Sequence, residues 1–581
     1  MEHDLSNQPV FKGTKRHFWR TLLICALVGL TSLVANVRCL RNDFTNWDDP
    51  MYVRGNKLIR DLSWHGIANV FTKTHVSEYY PLNHLSYALD YHHWQLNPFG
   101  YHLSNLILHA VNSVLVFVFL SLLLRNCFAS ALAALLFAVH PVQVESVAWI
   151  SERKTLLSTL FFLLSLLSCQ YSEASGRKKR AVLYVTSLLL FVLAVLSKAS
   201  IVILGLLLFV QLVGLKHRPI AGSVRYVLPF IIIGLAGSFA KFWVQYGVNT
   251  VIEHHGGPAD LTTFIQMISV FTRYIVILLF PMHFSAFESN PVGEGAFGPW
   301  LPPSLLVLAI YAYLLWTTWK RNRTTFFCLV WFPICLLPVS HVVPFPVLMS
   351  GRYLYVPCIG LFAAAATLLD RSIKESKSRY SLRAALLAIA LLLLCFTATN
   401  WKWTAYWNNS LALWTQSVAV SPDSHTPRSN LGATYDDLHY DQKAKAQLLL
   451  ATSMVSYDVV ALSRLGGIYF REGKYRKAED TLVSALRLNS NYWLALYYRG
   501  RTLRAVGLRQ DALEEMRKAV LYSPQAHMPR YYLGMWSFED AEFEDAFEHL
   551  QRFLQLRPYG VEAERARELL INVSRKLRKG P

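Results

Sequence analysis

Residues 466–490 read GGIYFREGKYRKAEDTLVSALRLNS, and the same register recurs through the last third of the chain. Gly432, Gly466, Gly500 and Gly534 follow one another at intervals of 34 residues. Ala444, Ala478, Ala512 and Ala546 stand 12 residues after each glycine, and Ala451, Ala485, Ala519 and Phe553 stand 19 after. A fourth column, Ser456, Ser490, Pro524 and Pro558, closes each unit. Small residues at fixed offsets let two antiparallel helices approach closely, and a proline ends the second helix. Four columns in one register predict four stacked helix pairs. Residues 407–420 have the pattern of a leading half-repeat, and Val561–Lys579 reads as a capping helix.

This period and spacing are the tetratricopeptide signature. It predicts an α-solenoid over residues 401–581, whose concave face, formed by repeats 432–558, takes an extended peptide or protein. No specific acceptor contact is readable there.

Ahead of the repeats the composition changes. The 581-residue chain is 53% hydrophobic and only 16% charged, with a mean hydropathy of +0.29. A soluble globule carries about 25% charged residues, and the shortfall lies in residues 1–400. Crossing a bilayer takes about 20 apolar residues. Eleven runs serve: Trp19–Val37, Leu103–Leu124, Phe128–Val139, Leu156–Cys169, Ala181–Leu196, Ile201–Leu215, Val224–Tyr246, Leu301–Trp319, Phe326–Val339, Leu354–Leu369 and Leu382–Thr399. The net charge of +20 comes largely from basic clusters between these runs, which orient membrane proteins and argue against nucleic-acid binding. Lys15, Arg16 and Arg20, residues 177–180, 216–218 and 320–323, and the stretch Arg371 to Arg383 mark the inside. An even number of spans must separate successive markers, so Phe264–Phe280, with Arg273 at its centre, reads as a re-entrant or interfacial helix. The N-terminus is then inside, and everything after Thr399 is outside. The first run reads as a retained anchor rather than a cleaved signal. The eight cysteines form neither a CxxC pair nor a disulfide framework.

The predicted outer loops gather titratable residues. Residues 46–50 read NWDDP, just past the first span. Pro50 biases Asp49 toward an extended backbone, so that the Asp48 and Asp49 side chains diverge. One can accept a proton while the other orients a substrate or binds a cation. The same loop carries Glu78, Asp90, His92, His93 and His102. The next reads HPVQVESVAWISERK over residues 140–154, with His140, Glu145, Arg153 and Lys154. Lys198 ends the fifth span, and Arg352 opens a further loop segment, in the longer stretch from His341 to Arg352. Cations at this face suit a phosphate leaving group, on which charge develops in the transition state; basic and aromatic residues also anchor spans at bilayer edges.

NWDDP, the YPL at 80–82, GYH at 100–102, the 140–154 stretch, LSK at 196–198, LPVS at 337–340 and RYLY at 352–355 occur in that order ahead of the repeats. Together they resemble the transmembrane and tetratricopeptide repeat-containing O-mannosyltransferases and their bacterial relatives. The likeness runs from about residue 19 to 570. It implies an all-α fold: a multi-span GT-C glycosyltransferase domain over residues 1–400, then the solenoid. It also implies a polyprenyl-phosphate sugar donor and catalytic acids in the first outer loop, here Asp48 and Asp49. The length of the array is similar to that of bacterial members, which implies an inner membrane with the site and repeats on the periplasmic side. The alternative is the endoplasmic reticulum, with lumenal repeats.

The expected reaction is transfer of mannose or a similar sugar to a protein hydroxyl, with inversion. Asp48 or Asp49 takes the proton. Arg153, Lys154, Lys198 and Arg352 hold the lipid phosphate. Glu145 positions the acceptor or a catalytic histidine, for which His140 is the candidate. No cofactor is required, although a divalent cation on Asp48, Asp49 and His140 is an alternative. A non-catalytic scaffold anchored in the cell envelope is the rival reading, and one span would suffice for it.

Overall fold

The computed structural model describes residues 15–73, 79–247, 261–282, 285–287, 298–341, 347–376 and 378–579. Glu78, residues 248–260 and 288–297, and residues 342–346 of the stretch from His341 to Arg352 lie outside the described residues. Among the described residues every regular element is helical. They divide into two compact units, with the boundary between Gln416 and Ser417. Residues 401–416, read from sequence as the start of the soluble half, fall in the first unit.

In that unit seven helices are long and apolar enough to cross a membrane: Phe18–Arg41, Pro98–Leu124, Ile150–Glu173, Arg177–Ser197, Ile220–Lys241, Leu301–Arg321 and Tyr380–Tyr406. Cys127–Val139 and Pro141–Ala148 form an eighth candidate, bent by 51° at His140. The other three expected spans fall short for local reasons. Ala199–Leu215 is broken into a 3-10 turn, a seven-residue helix and a π turn. Arg323–Leu336 contains Pro333 and runs into a 3-10 turn at Pro338. Cys358–Ser376 carries Asp370, Arg371 and Lys374 in its last turns. Leu261–Leu279, the expected re-entrant helix, is also a short apolar helix, with Arg273 stacked over the Trp300 ring.

Local sequence sets where these helices begin. Asn97 caps the Phe99 amide and Pro98 occupies the first helical position. Asn126 and Asn322 cap Ala129 and Thr325 in the same way. Between Asn36 and Ala138 the first and bent helices pack through the Asn36 amide, which donates to the Ala138 carbonyl at 3.3 Å.

The second unit consists of the expected helix pairs: His425–Asp437 with Asp441–Met454, Val459–Arg471 with Tyr475–Leu488, Trp493–Ala505 with Arg509–Tyr522, and His527–Glu539 with Phe543–Leu556, closed by Val561–Lys579. All four alanines of the 444 column are fully buried, and so are Ala451, Ala485, Ala519 and Phe553. The glycine column is there for space: a Cβ on Gly466 would sit 2.5 Å from Leu482 Cγ of its partner helix. A fifth column becomes visible only in three dimensions. His439, Gly473, Gly507 and Ala541 occupy equivalent turns between the two helices of each pair, and all have positive φ, from 60° to 91°. Glycine meets this left-handed requirement at two of the four turns.

Candidate active site

The loop after the first span is pinned before it reaches the aspartates. Asn42 donates to the Thr404 carbonyl at 3.1 Å, and the Asp43 amide donates to the Asn408 carbonyl at 2.8 Å. Pro50 then opens a π turn, Pro50–Arg54, and the Asp48 carbonyl accepts from the Met51 and Tyr52 amides. Asp49 has helical angles, φ −60° and ψ −33°, rather than the extended backbone expected of a residue before proline. Its hydrogen bonds hold it there. Oδ2 accepts from the Thr45 amide at 2.8 Å and the Thr45 hydroxyl at 3.1 Å; Oδ1 accepts from the Ser151 hydroxyl at 2.5 Å and amide at 3.2 Å. Asp49 is 1% exposed, and burial raises its carboxyl pKa above the ordinary value, against the pull of those four bonds. Asp48 is only half-buried. The two acids thus have different environments: one is enclosed as a structural acceptor, and the other keeps access to solvent.

Residues 140–154 receive this loop. His140 marks the bend in its helix; its Nδ1 accepts from the Val142 amide and its Nε2 donates to the Leu278 carbonyl at 2.9 Å. Both ring nitrogens are thereby used, between the Phe362 and Phe396 rings. Glu145 does not orient His140. Its Oε1 accepts from Arg352 Nη1 at 2.5 Å and from the Ser350 hydroxyl at 2.9 Å, and its Oε2 accepts from the Arg352 amide at 2.8 Å. Trp149 stacks between Trp47 and Trp407, at 4.8 and 5.6 Å. Trp414 packs on Trp47 at 5.1 Å and donates to the Asn46 side chain at 2.6 Å. This tryptophan cluster fastens NWDDP to the 149–152 segment.

Next in sequence, Glu152 is fully buried and binds Lys198 Nζ at 2.6 Å, with Arg352 Nε at 3.8 Å from its other oxygen. Lys198 also donates to the Thr155 hydroxyl at 2.6 Å. Burial holds the Lys198 pKa below its ordinary value, Glu152 opposes this, and Lys154 and Arg352 depress it further. Burial alone would lower the Arg352 pKa too, but Glu145, Tyr353 and Glu152 raise it. Lys198 and Arg352 are thus held by two buried carboxylates, Glu145 and Glu152.

Lys198 and Arg352 share the wall of an open cleft. Thr155, Ser158, Thr159 and Tyr353 add hydroxyls, while Ile201, Ile203, Val339 and Val356 make an apolar flank. Cations and hydroxyls beside apolar side chains suit an anionic headgroup attached to a hydrocarbon chain.

The fold thus joins Asp48, Asp49, Glu145, Lys198 and Arg352 through one short segment. Arg153 faces elsewhere. It is 1% exposed, forms an ion pair with Asp90, and donates to Asn105 and the Tyr101 carbonyl, each at 2.8 Å. Lys154 lies over the Tyr52 and Tyr80 rings, at 5.2 and 5.5 Å. Asp48, Asp49 and His140 do not converge as a ligand set; among the described residues no group of three or more His, Cys, Asp or Glu gathers as a metal site. Ser151, Ser350 and the Thr155 hydroxyl are neighbours of these residues that sequence reasoning passed over, and Glu152 is an acid of the same stretch to which it gave no role. Only Glu152 left a trace, as an acid between Glu145 and the Arg153-Lys154 pair.

No protein-family model matches the chain. In sequence it is similar to protein O-mannosyl-transferase TMTC3 of Mus musculus, 25% identical over 544 residues, covering 76% of this chain and 57% of the relative. The Homo sapiens TMTC3 is 24% identical, over 83% of this chain and 61% of its own length. The chain thus spans about three-fifths of the length of these curated relatives. The TPR protein TTC0263 of Thermus thermophilus aligns with 33% of the chain and 97% of its own, at 17% identity and a TM-score of 0.25. Over most of its length, the chain's homologues are TMTC protein O-mannosyl-transferases.

Proposed function

We propose that the chain is an integral-membrane glycosyltransferase that moves mannose or a similar sugar from a polyprenyl-phosphate donor to a protein hydroxyl. The observation that supports this reading is the cleft in which Lys198 and Arg352 stand beside hydroxyls and an apolar flank, with Lys198 bound to Glu152, the residue after the Ser151 that contacts Asp49. The donor phosphate sits against Lys198 and Arg352, with its lipid along Ile201, Ile203 and Val339. Asp48, the more accessible aspartate, takes the proton from the acceptor hydroxyl. The acceptor oxygen bonds to the anomeric carbon as the bond to the phosphate oxygen breaks. That electron pair leaves on the phosphate, and one displacement inverts the centre. Phosphate leaves without a proton, so a general acid is not needed. Asp49 fixes the loop, and the repeat array presents the acceptor.

In this reading the site and the repeats face away from the cytoplasm, on the periplasmic or lumenal side. A reporter fused after Pro581 that works only outside the cytoplasm is then active, and a cytosol-only reporter is silent. The activity is tested by incubating the purified full chain with labelled polyprenyl-phosphate sugars and a Ser/Thr peptide. Label appears on the peptide from at least one donor. If no polyprenyl-phosphate sugar transfers label to peptide or water, the reading is wrong.

A further inference from the structure

The inner helices of the repeat array carry a series of arginines, and their compensation differs. Arg464 pairs with Asp436 and Asp437. Arg471 pairs with Asp436 and Asp441, and Arg504 with Glu539 and Asp540. These are neutralised within the array. Arg501 lies between them and is bound differently. Its guanidinium stands 4.5 Å from the Phe470 ring centre, 4.6 Å from Tyr532 and 5.5 Å from Tyr497, and Nη1 donates to the Tyr497 hydroxyl at 3.1 Å. Among the described residues no carboxylate forms an ion pair with it.

The three rings come from three successive first helices: Phe470 from Val459–Arg471, Tyr497 from Trp493–Ala505 and Tyr532 from His527–Glu539. Arg501 therefore sits where the repeats meet, on the side along which a solenoid binds an extended chain. Arg501, Phe470 and Tyr532 are all half-buried, so this cluster retains accessible surface. Rings rigidify the guanidinium and shield it from water without neutralising its charge. A planar cation held in this way is suited to a bidentate carboxylate.

We propose that Arg501 is a recognition subsite for an acidic side chain, Asp or Glu, in the extended acceptor segment, with a neighbouring apolar residue against Tyr532 and Met535. The proposal rests on the reading of the array as the acceptor-binding part, and it names the chemistry of that acceptor.

The test uses the full chain in lipid nanodiscs and three fluorescent peptides, identical except for Asp, Asn or Lys beside a central Leu. Binding is followed by anisotropy. The Asp peptide binds at least about tenfold tighter than the Asn peptide, the worth of one charge-assisted hydrogen bond, and the Lys peptide is weakest. Arg501→Gln equalises the Asp and Asn peptides, while Lys477→Gln, on an exposed second helix, leaves the preference intact. The wild-type peptide series stands whether or not Arg501→Gln folds. Equal binding of all three peptides overturns the subsite and leaves the array's peptide-binding role in place. Binding of none of them overturns both.

Discussion

The Ser151 hydroxyl lies 2.5 Å from Asp49 Oδ1, and this contact joins the NWDDP loop to the segment whose next residue, Glu152, holds Lys198. Residues 102 positions apart in sequence thus link the acidic loop and the cationic cleft. The link explains how one of two adjacent aspartates is withdrawn from solvent while the other stays half-buried.

Ser151→Ala removes that link and leaves Asp49 Oδ1 with only the Ser151 amide. An under-satisfied buried carboxylate costs about 1–3 kcal/mol. Thermal unfolding of the detergent-solubilised chain should fall accordingly for Ser151→Ala and Asp49→Ala. Asp48→Asn should unfold like the wild type.

Donor affinity should depend on pH through Lys198. Burial lowers its pKa from 10.5, so the ammonium loses its proton at a lower pH than an ordinary lysine does. Polyprenyl-phosphate binding therefore weakens as the pH rises through a window below 10.5. Lys198→Arg keeps the charge and flattens that limb. Donor titrations across pH on the two proteins check this.

Glu145→Gln removes the closer of the two carboxylates paired with Arg352 and leaves the more distant Glu152. Breaking a buried pair costs up to about 3–5 kcal/mol when nothing else compensates the charge, and less here. The variant should be less stable in the absence of donor and should regain part of the loss when a polyprenyl phosphate supplies the missing anion. Melting curves with and without the lipid measure the recovery.

The turns of the array give a stability test away from the site. His439 and Ala541 adopt φ of 60° and 64° where the equivalent residues are Gly473 and Gly507. His439→Gly and Ala541→Gly should each stabilise the array by about 1 kcal/mol, the cost of a left-handed non-glycine residue. Gly466→Ala should destabilise it, because the new Cβ falls within 2.5 Å of Leu482. Urea titration of the solubilised chain resolves both signs.

The alanine and glycine columns were legible because close helix packing admits few residue types, and their period shows in one dimension. The turn column at 439, 473, 507 and 541 was hidden, since half of its positions tolerate strain instead of carrying glycine. At the site, residue type located the acids and bases but not their partners. Arg153 and Lys198 look alike in sequence, each a cation at the end of an apolar run. Only the fold shows that Arg153 is spent on Asp90 and Asn105 while Lys198 reaches a cleft. The Glu145–Arg352 pair spans 207 residues, beyond any local pattern. The eleven runs were read by apolarity alone, which does not reveal the breaks at 199–215 and Pro333.

The most direct measurement is single-turnover sugar transfer by the Asp48→Asn variant, compared with the wild type under saturating labelled donor, with donor affinity measured in parallel. A general base contributes about 100- to 10,000-fold. Transfer by the variant should fall by that factor while the donor dissociation constant stays unchanged. Near wild-type transfer by Asp48→Asn would contradict the account, because no accessible carboxylate in this loop would then be needed to take the acceptor's proton.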